Sequence, residues 1–146
     1  MSTIKTILEP ERTIPVKDEV DILVVGGGPS GIMAARAAAG KGLKVMLIES
    51  RGYVGGNLTI GLPILGFLGR KGNQVVEGLP QMLIDRLRAK GKASEHKPCK
   101  NHVSLTIIDS EEVKDVALGM LEEVGVKILF YVFCSDVIKE GNEVKE

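Results

Sequence analysis

The sequence predicts an α/β protein that contains a parallel β-sheet, flanking helices and the start of an antiparallel β-hairpin. The apolar run Asp21–Val25 is closed by glycines, and a second apolar run covers Lys44–Ile48. Such near-continuous apolar runs are typical of strands buried on both faces of a parallel sheet. Between them, Pro29–Ala39 is rich in alanine and favours a helix that ends at Gly40 and Gly42. Strand, helix and strand within about 30 residues predict a βαβ unit with a right-handed crossover.

Two further helices are predicted in the second half of the chain. Pro80 suits the first position of a helix that runs to about Lys90. Asp109 and Glu112 have the spacing of a capping box, which predicts the start of the third helix. Apolar residues then recur at helical spacing until Gly125, which suits the position just after a helix end.

The remaining segments are predicted as a strand, a turn and two loops. The apolar segment Val126–Phe133 predicts a third strand, with Cys134 as a small core residue at its end. Glu140–Asn142 predicts a hairpin turn. The glycine-rich residues 50–78 and the polar residues 91–104 are predicted to be loops.

Length and composition narrow the functional classes. A length of 146 residues corresponds to about one domain. We expect residues 1–19 to be an extended lead-in and residues 20–146 to belong to a single domain. Nineteen basic residues balance nineteen acidic ones, so the net charge predicts neither a nucleic-acid partner nor an anionic membrane surface. The apolar run Ile60–Leu68 is too short and too broken to span a bilayer. No secretory signal is recognisable, so the cytoplasm is the expected location by default.

The cysteines and histidines do not predict a metal centre. Two cysteines are too few for a disulfide scaffold. Cys99 lies near His96 and His102, but their spacing matches no standard zinc pattern, and a polar loop surface is the simpler interpretation. We therefore predict no metal site, and no side chain in the sequence is predicted to be catalytic.

The glycines following the first predicted strand form a candidate phosphate-binding loop. Gly26, Gly28 and Gly31 fit the pattern G-x-G-x-x-G, which is weak evidence alone but here lies between a predicted strand and a predicted helix. In this motif the first glycine allows a tight turn, the second lets the backbone approach a pyrophosphate, and the third lets helix and strand pack closely. The N-terminus of the helix, with its unpaired N–H groups and its dipole, favours the phosphate charge.

Glu49 is a candidate ribose-binding residue. It ends the second predicted strand, 21 residues after Gly28, where a carboxylate can accept hydrogen bonds from the adenosine ribose. A carboxylate there also repels a 2′-phosphate, which disfavours NADP. Because Glu49 stands at a strand end, we expect its replacement by alanine to weaken nucleotide binding and to affect folding little.

With these motifs, the sequence resembles the FAD-dependent oxidoreductase superfamily. Asp21–Glu49, DILVVGGGPSGIMAARAAAGKGLKVMLIE, looks like its ADP-binding βαβ unit, and Gly55-Gly56 completes the E-x5-GG continuation found there. Asn57–Gly61 (NLTIG) resembles the stretch beneath the flavin in fumarate-reductase-like members, and glutathione-reductase-like flavoproteins share the general pattern. The resemblance implies a Rossmann-like FAD/NAD(P)-binding fold with FAD as the cofactor.

The resemblance also implies roles for particular residues. The pyrophosphate loop would be formed by Gly26, Gly28, Pro29, Ser30 and Gly31, with Glu49 on the ribose and Arg51 near the adenosine side. The chain would pass close to the pyrophosphate and the ribityl group at Gly55, Gly56 and Asn57. Backbone groups of Cys134 and Ser135 would meet the adenine edge.

Members of this superfamily normally continue for hundreds of residues, so the resemblance implies a domain that is incomplete relative to the family. The substrate-binding groups would lie outside these residues, and the first strand would lack a neighbour on its outer side. We therefore expect self-association, or pairing with a chain that supplies the C-terminal part. Two alternatives stay open: an NAD-binding dehydrogenase module, and a non-catalytic nucleotide-binding subunit that works only with a partner chain.

Overall fold

The computed structural model describes residues 5–8, 11 and 13–144. In chain order, the elements of the first half are β1 (Ile22–Val25), α1 (Pro29–Ala39), β2 (Val45–Glu49), a 3-10 turn (Gly56–Thr59), β3 (Ile64–Leu65) and α2 (Leu79–Ala89). Those of the second half are β4 (Lys97–Cys99), β5 (Val103–Thr106), α3 (Ser110–Glu122), β6 (Lys127–Phe130), β7 (Lys139–Glu140) and β8 (Glu143–Val144). None of the helices in this described part combines the length and the apolar character that a membrane crossing requires.

The central sheet is parallel, as predicted. Its order is β1-β2-β6, with Val25 opposite Ile48 and Glu49 opposite Phe130. Every residue of β2, the central strand, is buried, whereas β1 alternates between half-buried and exposed residues. The predicted βαβ unit and its three-stranded sheet are therefore confirmed.

One face of this sheet carries the hydrophobic core. The core side chains come from β2, from the loop after it and from all three helices; they include Ile32, Leu47, Val54, Leu83, Leu87, Val113 and Met120. The opposite face is formed by the alternate residues of the strands, since successive side chains of a strand point to opposite sides. On it, Leu23 pairs with Met46, and Val25 pairs with Ile48.

Helix α3 begins and ends as its sequence indicates. The Asp109 side chain accepts hydrogen bonds from the N–H groups of Glu111 (3.1 Å) and Glu112 (3.2 Å), as an N-cap residue does. The Glu112 carboxylate does not complete a capping box but pairs with Lys90, the residue that follows α2. Gly125 follows the helix with φ of +74°, a conformation that glycine adopts without strain.

A second sheet was not predicted. Strands β3, β5 and β4 form an antiparallel sheet in that order. Strands β3 and β4 lie within the segments we expected to be loops, and β5 begins at the end of the second one. The strands have only two to four residues, and β5 buries two polar side chains, Ser104 and Thr106. The Ser104 hydroxyl accepts a hydrogen bond from Leu68 N–H (2.9 Å). Short strands with polar buried residues lack the apolar alternation that predicts a strand.

The third strand of the parallel sheet is shorter than predicted. It ends at Phe130, and Tyr131 has a left-handed backbone with φ of +59°. Cys134 therefore lies outside the strand and is only partly buried, so its interpretation as a core residue was wrong. The predicted hairpin is confirmed, because β7 and β8 pair across Gly141, which has φ of +62°.

His96 links α2 to the second sheet from a partly buried position. Its ring stacks on Phe67, with 4.3 Å between the ring centroids. Its Nδ1 lies 2.6 Å from Thr106 Oγ1, and its Nε2 lies 2.9 Å from Gln81 Oε1. The Gln81 oxygen can only accept, so neutral His96 donates from Nε2 and accepts at Nδ1 from the threonine hydroxyl.

This environment predicts a pH-dependent stability. Burial, and to a lesser degree the charge of Arg88, lower the pKa of His96 below its ordinary value of 6.5. As pH falls through 6.5 towards the lowered pKa, the unfolded chain takes up the proton first, so the free energy of unfolding decreases. In urea denaturation at a series of pH values, His96→Gln should show a smaller decrease than the parent. Equal pH dependence in His96→Gln and the parent would contradict the assignment.

Candidate functional site

The glycine loop between β1 and α1 has the geometry that its spacing predicts. Gly26 turns the chain with φ of +98°, and its N–H donates to Ile48 O (2.8 Å). A Cβ on Gly31 would overlap the carbonyl oxygen of Gly26, so the third glycine is required for close packing. A Cβ on Gly28 would meet no atom within 4 Å, so open space lies beside the second glycine.

Helix α1 presents its N-terminus to this open space. Gly28 is the N-cap residue, and no side chain in the described part of the chain caps the helix there. Pro29 takes the first helical position, and the bond from Ile32 N–H to Gly28 O (2.9 Å) begins the helical ladder. The earlier N–H groups, including those of Ser30 and Gly31, thus stand at the helix end, where an anion is favoured.

Glu49 lies at the same edge of the sheet and is bonded to the glycine loop. Its Oε2 accepts from Gly27 N–H (2.7 Å), and its Oε1 accepts from Arg51 N–H (2.8 Å) and the Ser50 hydroxyl (3.1 Å). The residue is only 9% exposed. The carboxylate therefore fixes the glycine loop relative to the end of β2, a role that sequence reasoning missed.

These hydrogen bonds keep Glu49 ionised. Burial raises the pKa of the carboxyl, but the N–H groups of Arg51 and Gly27 and the Ser50 hydroxyl outweigh it, so the pKa is lowered overall. Two carboxylate oxygens offer about four acceptor positions. Three protein donors, one on Oε2 and two on Oε1, leave Oε2 able to accept one more hydrogen bond.

The second glycine motif packs against the first. Gly55 N–H donates to Gly27 O (2.8 Å), and a Cβ on Gly56 would lie 2.9 Å from the Cα of Gly28. Gly55 and Gly56 also have positive φ values of +124° and +51°. The E-x5-GG segment therefore depends on glycine both for its backbone conformation and for its approach to the phosphate-loop candidate.

A cavity of about 140 Å³ adjoins Glu49; it is lined by Glu49, Arg51, Tyr53, Gly56, Asn57 and Ile60. Arg51 Nη1 donates to the Tyr53 hydroxyl (3.0 Å), and Lys114 Nζ lies 4.4 Å from the centroid of the Tyr53 ring. Both cations lower the pKa of Tyr53, chiefly through the hydrogen bond from Arg51. Sequence reasoning missed Tyr53, because nothing in a glycine-rich loop marks one aromatic residue as a wall of a cavity.

The predicted site residues thus fall into two groups. The structure brings together those of the two glycine motifs, the β2 end and Asn57, around one edge of the parallel sheet. Cys134 and Ser135 follow the end of β6 and are not part of the cavity lining; the Cys134 thiol contacts Asp136 O at 3.6 Å. Within the described residues, no three histidine, cysteine or acidic side chains are placed to share a metal ion.

Comparison with known proteins decides the family. The family model described as FAD dependent oxidoreductase matches residues 21–146. The chain belongs to this family. FAD is therefore the cofactor that the family implies, and the sequence-based prediction of FAD is confirmed at that level.

Several curated relatives are similar to this flavoprotein chain over most of its length. Thiamine thiazole synthase of Pyrobaculum aerophilum is 31% identical over 127 residues, which cover 85% of this chain and 42% of the relative. The enzyme of the same name from Archaeoglobus fulgidus is 34% identical over 120 residues, 82% of this chain and 41% of the relative. Ferredoxin–NADP reductase of Saccharopolyspora erythraea is 31% identical and covers 76% of the chain. The chain spans less than half the length of each.

Solved structures agree on the fold. Thermovibrio ammonificans THI4 is 24% identical, with a TM-score of 0.57 over 82% of this chain and 41% of that one. The myxobacterial chondrochloren halogenase CndH, described as a variant of FAD-dependent halogenases, is 22% identical, with a TM-score of 0.59 over 86% of this chain and 31% of that one. At these identities the likeness establishes the Rossmann-like fold alone.

Proposed function

We propose that this chain holds the ADP part of FAD and so forms the FAD-binding portion of a flavin-dependent oxidoreductase. In this proposal, residues 20–146 are the N-terminal part of one FAD-binding domain, and the substrate-binding groups lie outside them. The observation that supports it best is the open space beside Gly28, at the uncapped start of α1 in the described structure, with the Glu49 carboxylate one hydrogen bond away through Gly27.

The chain's own residues would bind and orient the cofactor. The N–H groups at the start of α1, with Ser30, would hold the pyrophosphate, because their partial positive charge complements the phosphate oxygens. Glu49 would accept a ribose hydroxyl on the free acceptor position of Oε2. When bound, FAD supplies the redox chemistry by hydride transfer at its isoalloxazine ring.

The remaining site residues receive roles that depend on the same geometry. Arg51 and Asn57 line the cavity beside Glu49, which supports a position for Arg51 on the adenosine side and for Asn57 towards the ribityl group. The close packing of Gly56 on Gly28 supports its proposed position beside the pyrophosphate. Cys134 and Ser135 would meet the adenine edge with backbone groups, after the end of β6.

Ligand titration tests the proposal. The purified chain should bind FAD and ADP at one shared site, so that ADP displaces FAD in a competition followed by flavin absorbance or fluorescence. NAD should bind more weakly than FAD. Tighter binding of NAD than of FAD would favour the alternative of an NAD-binding dehydrogenase module, and absence of saturable binding of FAD and ADP would refute the proposal.

A second candidate, a nucleotide-binding subunit that works with a partner chain, is favoured by the open side of the parallel sheet. Among the residues that the structure describes, no strand pairs with the outer side of β1. Leu23 is 50% and Val25 58% exposed, beside Met46 and Ile48 on the same face. An unpaired edge next to an apolar face promotes association.

We therefore expect the chain not to behave as a compact monomer of 15.7 kDa in sedimentation velocity. It should pair with itself or with a partner chain, or aggregate. Leu23→Lys should reduce self-association, because a charge on an apolar edge disfavours pairing. Val75→Lys changes an exposed apolar residue away from this sheet and serves as the matched control. A stable parent monomer at working concentrations would contradict this prediction.

A further inference from the structure

Tyr131 is an exposed aromatic residue that neither the core nor the proposed roles explain. Its side chain is 83% exposed, although tyrosine rings usually bury much of their area. It also has a left-handed backbone with φ of +59°, which is unfavourable for a residue with a branched or bulky side chain. Residues with an unfavourable backbone conformation persist only where the surrounding structure stabilises them, and they are frequent at ligand sites.

The backbone fixes Tyr131 next to the proposed ribose residue. Glu49 pairs with Phe130 across the sheet, so the segments that follow β2 and β6 leave the sheet side by side. Two hydrogen bonds then join them: Tyr131 N–H donates to Arg51 O (3.3 Å), and Val132 N–H donates to Glu49 O (3.1 Å).

The ring of Tyr131 lies against Gly52. A Cβ on Gly52 would come within 2.7 Å of the ring carbon Cζ and still closer to the hydroxyl. Only glycine at position 52 leaves room for the ring there. The left-handed backbone and the missing side chain together place a flat aromatic surface at the end of β2.

We propose that Tyr131 contacts the adenine base of the bound dinucleotide and thereby positions it. This inference rests on the proposed function, which puts the ribose at Glu49; the base is attached to that ribose and needs a flat, largely apolar surface. Stacking of a base on an aromatic ring is favourable for any base with an open face. Tyr53, the other tyrosine near Glu49, already has Lys114 Nζ over its ring and Arg51 on its hydroxyl.

Calorimetric titration with ADP distinguishes this role from surface exposure. Tyr131→Ala should weaken ADP binding about tenfold, the scale of one lost base–aromatic contact, whereas Tyr131→Phe should stay within about twofold because the ring is retained. Gly52→Ala should also weaken binding, because its Cβ displaces the ring, and it should add little to Tyr131→Ala. Phe133→Ala removes a similarly exposed aromatic residue (82%) two positions along and should leave ADP binding unchanged.

NMR separates the two proposals. With ADP, the Tyr131 ring protons should shift upfield through the ring current of the base, and inorganic pyrophosphate should not shift them. Unchanged ADP affinity in Tyr131→Ala, or no ring shift while ADP binds, would overturn the role of Tyr131 and leave the proposed function standing. Failure of the parent chain to bind ADP or FAD at all would overturn the proposed function itself.

Discussion

Gly31→Ala should lower the free energy of unfolding by about 3 kcal/mol, at the upper end of the usual cost of overpacking. The new Cβ would overlap the carbonyl oxygen of Gly26. This oxygen is a backbone atom, and the N–H of the same residue, Gly26, is bonded to Ile48 O. It therefore cannot move aside as the end of a flexible side chain could. Urea denaturation followed by circular dichroism measures the change.

Gly28→Val is the matched test of function, since it adds a larger side chain only three residues away. A Cβ there meets nothing within 4 Å, and φ of −73° suits any L-residue. Its stability should therefore fall by no more than about 1 kcal/mol, the scale of changing an N-cap residue. ADP binding should weaken at least tenfold, because the side chain fills the space in which we propose the pyrophosphate.

The two variants distinguish the two uses of glycine in one motif. The contact with Gly26 O requires glycine at position 31 for packing, whereas we propose that glycine at position 28 leaves room for the ligand. If Gly28→Val binds ADP as tightly as the parent, the pyrophosphate does not bind beside Gly28. Parent-like stability of Gly31→Ala would show that the loop relaxes, and then the third glycine would have no packing role.

The sequence predicted the parts of the fold that depend on local patterns. The apolar runs of β1 and β2, the alanine-rich α1 and the Asp109 cap each act within a few residues, so their spacing was sufficient. The second sheet could not be predicted in this way. Ser104 and Thr106 are polar, and they are buried only because residues distant in sequence cover them.

In the candidate site, too, the local features could be predicted from the sequence and the tertiary contacts could not. The packing of Gly31 on Gly26 follows from a motif six residues long, and the structure confirms that contact. The hydrogen bond from Gly27 to Glu49 joins residues 22 positions apart. The position of Tyr131 depends on a strand that ends three residues earlier than its apolar sequence suggests. Such features arise from tertiary contacts, which a single sequence does not reveal.

Glu49→Ala should lower the free energy of unfolding by about 2–4 kcal/mol, contrary to the expectation that a strand-end carboxylate matters little for folding. The substitution removes the acceptor of three hydrogen bonds, two of them from the backbone N–H groups of Gly27 and Arg51. A hydrogen bond to a charged acceptor contributes about 1.5–3 kcal/mol. The buried bond from Gly27 accounts for most of the loss, because water can replace the acceptor for the part-buried Arg51 N–H and Ser50 hydroxyl. Stability equal to that of the parent would restore the original expectation.

The lowered pKa of Glu49 gives this contribution a pH dependence. The group is ionised more readily in the folded chain, so its contribution is present above the ordinary value of 4.5 and is lost as pH falls through the lowered pKa. The stability difference between the parent and Glu49→Gln should therefore narrow towards acid pH. A constant difference would show that the ionised form is not what stabilises the loop.

Because we expect Glu49 to affect folding, its proposed ribose contact has to be tested by comparing ligands within each variant. The parent should bind ADP several-fold more tightly than 2′-deoxy-ADP, since a carboxylate accepting from a hydroxyl discriminates against its loss. Glu49→Gln keeps the length of the side chain. At a temperature where this variant is folded, it should bind ADP and 2′-deoxy-ADP with nearly equal affinity. A preference that persists would assign the ribose hydroxyl to another partner and leave Glu49 as the residue that fixes the glycine loop.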